Sequence, residues 1–118
     1  MDIDLQLLAA EKENLDLLLI EITAALIARG AINEHDVAGA LLRNEHGAGM
    51  LDEIDMEGGV MGHRHGFAQL TTERWSGRFG LEPSLYALRK LEAEFRASPG
   101  KRRSPLEPES VAQASEDE

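Results

Sequence analysis

Apolar residues recur every three or four positions over long stretches of this chain, and nowhere do they alternate with polar ones for the length of a clear strand. The densest pattern lies between Leu15 and Ala28. Leu15, Leu18, Leu19, Ile22 and Leu26 follow the i, i+3, i+4, i+7 spacing of one helical stripe. Leu17, Ile20, Ala24 and Ile27 form a second stripe on the opposite side. Asp16 and Thr23 interrupt the apolar surface on one edge, Asn14 and Glu21 on the other. The pattern predicts a first helix from about Asp4 to Arg29, about 39 Å long at 1.5 Å per residue. Being apolar on two faces, it must be covered from two sides.

The next punctuation is equally specific. Gly30 supplies a residue able to turn left-handed, and with Gly30 at C′ the Ala31 side chain would meet Leu26, as in a Schellman ending. Asn33 is a good N-cap, and Glu34 and Asp36 sit in the first turn, where the helix dipole favours acids. Ile32 and Val37 have the spacing of a hydrophobic staple. A second helix is expected from there to about Asn44, with Val37, Ala40 and Leu41 inward. The connection of about three residues makes the two helices a helical hairpin or tight corner.

Farther along, Thr71 or Thr72 would cap a short helix running through Trp75 to Arg78, ended by Gly80. Pro83 suits the first turn of a last helix carrying Leu85, Leu88, Leu91 and Phe95 on one face. Glu92 and Arg96 stand an i, i+4 pair apart on its outer side. The glycine-rich stretch 44–70 reads as a loop, its best extended candidate being Val60-Met61. Residues 98–118, which include Lys101-Arg102-Arg103 and end in Ser115-Glu116-Asp117-Glu118, read as a disordered tail. Residues 1–97 are then a single small helical domain.

The expected fold is all-α: a helical hairpin plus one or two C-terminal helices, completing a bundle by dimerisation. Magnitude favours the dimer. Leaving Leu17, Ile20 and Ile27 exposed would forgo about 1.5–3 kcal/mol each, whereas association costs on the order of 4–15 kcal/mol against a gain from both chains. The competing arrangement is a monomeric three-helix bundle in which the last helix covers that stripe.

Charge narrows the partners. Of 118 residues, 22 are acidic and 12 basic, for a net charge of −10. Residues 1–57 hold 13 acidic and 3 basic side chains, which disfavours a nucleic-acid backbone. Helix–turn–helix binding fares no better, since Glu34, His35 and Asp36 lead the second helix where base-reading side chains should stand. The acidic edge of the first helix also disfavours a membrane surface, and its apolar run is too short to span one. Zero cysteines exclude disulfide and thiol chemistry. Asp2 and Asp4 stand where a secretory signal carries Lys or Arg, so a cytoplasmic protein is expected.

Candidate chemistry is sparse. His63 and His65 flank Arg64 in a glycine-bounded segment, and an extended backbone would put both imidazoles on one side. With Asp55 they would make a two-histidine, one-carboxylate site for a divalent metal. The acidic run from Asp52 to Glu57 does not follow the calcium-loop pattern. Gly47-Ala48-Gly49 is no phosphate-binding motif, and no serine sits in a nucleophile turn. The sequence therefore reads as a small acidic protein–protein interaction module: an adaptor, regulator or assembly subunit that needs no cofactor. Its expected interaction residues are Leu17, Ile20, Ile27, Trp75 and Phe79. The alternative is a small metal-dependent enzyme or metal-binding protein built on His63 and His65.

Overall fold

The computed structural model describes residues 3–100 and 102–116. These residues form five helices and no strand: α1 (Ile3–Ala28), α2 (Glu34–Glu57), α3 (Arg64–Phe79), α4 (Glu82–Ala97) and α5 (Pro108–Glu116). The chain divides into two compact units, Met1–Asn33 and Glu34–Glu118. The all-α expectation holds.

The first unit is one helix and its ending. The Gly30 N–H donates to the Ile27 carbonyl at 2.9 Å and the Ala31 N–H to the Leu26 carbonyl at 3.0 Å. Gly30 itself sits at φ +73°, in the left-handed region. These two bonds define the Schellman motif that the sequence predicts. Ile20 is the buried residue of α1.

The second unit is organised on α2, against which α3, α4 and α5 all pack. Its core joins Val37, Ala38, Leu41 and Leu42 of α2 to Ala68 of α3, Leu85 and Leu88 of α4, Val111 of α5, and the linker residues Leu81 and Leu106. Leu81, Leu88 and Val111 are the most completely enclosed.

Two expectations about this unit are corrected. α2 does not stop at Asn44 but continues to Glu57, and α3 begins at Arg64 rather than near Thr71. Most of the expected loop 44–70 is therefore helix. Two glycines inside a helix cost roughly 1 kcal/mol each against alanine, but α2 has α3 to pack against along this stretch. The Glu45 side chain bonds Thr72 of α3, and a Cβ at Gly49 would come within 3.5 Å of the His65 ring. Tertiary contact overrides propensity here. α2 ends with the same two bonds as α1, the Gly59 N–H to Met56 at 3.0 Å and the Val60 N–H to Asp55 at 2.8 Å.

The second correction concerns the tail. Residues 108–116 form α5, and Leu106 and Val111 are buried, at 3% and 1% exposure. α5 sits close on α2 because position 39 is glycine. A Cβ there would fall 2.9 Å from a Val111 methyl. Arg43 secures the approach by donating from Nη1 to the Leu106 carbonyl at 2.7 Å.

α4 follows its prediction in its start and in its first two leucines, but Leu91 is exposed and Glu92, expected outward, turns in against His46 of α2. Pro83 lies in its first turn, Leu85 and Leu88 are buried, and Arg96 stands 3.7 Å from Glu92 one turn away.

Candidate functional site

The helical start of α3 places the two histidines differently from the expected extended segment. His63 occupies the N-cap position and His65 the first turn, so their side chains leave the backbone in different directions. The Asp55 carboxylate is taken by Arg64, with Nε to Oδ2 at 3.0 Å. Among the described residues no three His, Asp or Glu side chains are grouped to hold a metal ion.

What organises this region is Asp52, one of the acids upstream of the histidines. Its two carboxylate oxygens accept the first free backbone N–H groups of α3, Arg64 at 2.8 Å and His65 at 2.9 Å. A side chain twelve residues upstream thus does the work that an N-cap residue does from within the sequence. Gly62 leaves room for it, since a Cβ at that position would lie 2.6 Å from the Asp52 Cβ. The bond from the His65 N–H outweighs the opposing effect of burial and, together with the weaker effects of the Arg64 bond and the neighbouring side chains, holds the Asp52 carboxyl below its ordinary value.

A second polar cluster joins α2 to α3 and α4. The buried Glu45 carboxylate accepts from the Thr72 hydroxyl at 2.8 Å and from Arg89 Nη2 at 3.2 Å. At the next residue, His46 Nε2 lies between Glu92, which it contacts, and Arg96 Nη2 at 2.8 Å. An open cleft of about 360 Å³ is lined by these groups together with Gly49, Glu53 and His65. Glu45, Glu92, Arg89 and Arg96 each face a group of opposite charge or a hydrogen-bond partner. Chemically the cluster is a latch that orders helices, and it presents no activated nucleophile.

Trp75 and Phe79 stack within α3, their ring centroids 5.8 Å apart, with Arg78 over the Phe79 ring. Both rings are half-buried. Exposed large apolar side chains of this unit include Met50, Leu51, Ile54, Met56, Phe67 and Tyr86.

α1 carries the most extended apolar surface. Leu5, Leu8, Leu15, Leu19, Ile22 and Leu26 are each between 38% and 59% exposed. Their numbers fall on a strict seven-residue repeat: Leu5, Lys12, Leu19 and Leu26 in one register, Leu8, Leu15, Ile22 and Arg29 three residues on. These are the a and d positions of a coiled-coil seam, and 24 residues of it span about 36 Å. Arg29 belongs to the helical ladder, donating its N–H to the Ala25 carbonyl at 3.1 Å.

The residues expected from sequence to mediate interaction are spread over different environments. Of the expected interaction residues on α1, Ile20 is buried and Ile27 half-buried, while Leu17 is exposed. The other stripe is exposed along its length and is extended at its N-terminal end by Leu5 and Leu8, while Ile3, Leu7, Leu17 and Leu18 are exposed off the seam. The seven-residue spacing was the signal available for Leu5 and Leu8. Among the described residues no helix is long and apolar enough to cross a membrane. No protein-family model, curated protein or solved structure matches the chain.

Proposed function

We propose that this protein is a helical protein–protein interaction module whose first partner is a second copy of itself, joined along the α1 seam. The observation that carries the reading is the row of six exposed leucine and isoleucine side chains at a and d positions. An isolated helix has no second element in its own unit to bury them. Each is already about half covered by its own helix, so burying the rest is worth on the order of 1 kcal/mol per residue. Twelve such residues in a pair supply about 12 kcal/mol, which offsets most of the association-cost range of about 4–15 kcal/mol. Knobs-into-holes pairing is the packing that this repeat specifies. An adaptor or assembly subunit gains from such a pair two copies of the second unit in one assembly.

The test separates the two faces of α1. Leu15→Asp/Leu19→Asp places two carboxylates in the seam and should give a monomer whose second unit remains helical by circular dichroism. Leu17→Asp, exposed but off the seam, should leave the mass of the assembly unchanged. A seam variant that keeps the parent's mass would remove the seam from the reading.

A further inference from the structure

We infer that the two α1 helices run antiparallel, with Leu15 of one copy packed on Leu19 of the other. The inference rests on the self-association proposed above and concerns its geometry. It follows from the two seam positions that are not apolar, Lys12 at a and Arg29 at d.

In a parallel, in-register pair each seam residue meets its own copy. Lys12 would then face Lys12, and Arg29 would face Arg29, inside the seam. The flanks would add to this, because Glu11 at g would lie beside Asp16 at e of the second copy, twice per dimer. Like charges brought together in a partly desolvated layer repel more strongly than in water.

Running the second helix the other way pairs a layers with d layers. Leu15 meets Leu19 and Leu8 meets Leu26, each twice. Lys12 now lies across Ile22 of the second copy, which its four-carbon stem can cover while the ammonium stays in water. Arg29 lies across Leu5 of the second copy, next in sequence to Asp4. The like-charged contact that remains is Asp16 with Asp16 on one flank, and Lys12 stands one turn away on the same edge. Opposed helix dipoles add a smaller term in the same direction. Both cations thus leave cation-on-cation layers for apolar ones.

The absence of cysteine from the sequence gives a clean experiment. Leu15→Cys and Leu19→Cys proteins are prepared separately, equilibrated together under reducing conditions, then oxidised in a glutathione buffer. A disulfide needs Cα atoms within about 7 Å, which antiparallel packing offers between positions 15 and 19 but not between 19 and 19. The mixture should form covalent dimer at least about tenfold faster than either variant alone. Leu8→Cys with Leu26→Cys should behave the same way and serves as a replacement if a central variant loses helicity. Rapid cross-linking of Leu19→Cys by itself would establish the parallel pair and overturn the inference while leaving self-association intact. A monomeric mass for the uncross-linked protein, with no cross-link in any combination, would overturn both.

Discussion

Asp52 shows how one side chain sets an element boundary at a distance. Its carboxylate holds the Arg64 and His65 amides that begin α3, and these bonds favour the ionised form, so its folded pKa lies below the ordinary 3.8. A lowered carboxylate pKa contributes stability at pH above the unfolded value, and that contribution is lost as pH falls through the folded one. The start of α3 should therefore loosen in acid below about pH 4. Amide exchange of Arg64 and His65, expressed as protection factors, should fall between pH 5 and pH 3 by more than that of Leu85 or Leu88. In an Asp52→Asn variant the difference should vanish, because the amide does not titrate. Equal protection of Arg64 and His65 at both pH values would contradict this account. The contact joins residues twelve and thirteen positions apart, beyond the range over which local capping patterns are read. That distance is why the sequence placed α3 seven residues late and read His63 and His65 as a free, extended pair.

At the scale of elements, the docking of α5 on α2 depends on a glycine facing a valine. A Cβ at position 39 would lie 2.9 and 3.1 Å from the two Val111 methyls, so Gly39→Ala should destabilise the wild-type protein by about 1–2 kcal/mol through overpacking. Val111→Ala opens that space and should itself cost about 2 kcal/mol. In the Val111→Ala background both methyls are gone, the flexible Arg43 Nη1 at 3.2 Å can shift aside, and the better helix propensity of alanine should make the same change stabilising by up to about 1 kcal/mol. Urea denaturation of the four proteins in the cycle reads this reversal of sign, and simple additivity would contradict the packing described. The elements legible in sequence were those marked by local chemistry. Gly30 ends α1 as its position requires, Glu34 and Asp36 open α2, and Pro83 begins α4 with Leu85 and Leu88 inward. The elements missed were those held by partners. Gly47 and Gly49 disguise the second half of α2, and Leu106 and Val111 are isolated apolar residues in a polar stretch. Each becomes a core residue or a helical position through contacts with other helices.

For the whole molecule, the sequence carried the two-faced character of α1 but not the choice of face. Both stripes have similar apolar content, so periodicity alone could not say that Ile20 would be buried while Leu15, Leu19 and Ile22 stay exposed. Both stripes keep a and d spacing over Leu15–Ile27, and the difference lies towards the N-terminus, where one register continues through Leu8 and Leu5 and the other meets Glu13 and Gln6. The charge of the chain bears on its assembly. A net charge of −10 opposes close approach of two copies, and an apolar seam with two cations placed across leucine and isoleucine is a short-range attraction able to act against it. Screening should accordingly strengthen the pair as salt is raised from low concentration.

The molar mass in solution tests this most directly. Multi-angle light scattering of the 12.9 kDa chain at 0.15 M salt should return about twice the chain mass, independent of loading across the range above its dissociation constant. A monodisperse, folded species at the mass of one chain would contradict the central claim.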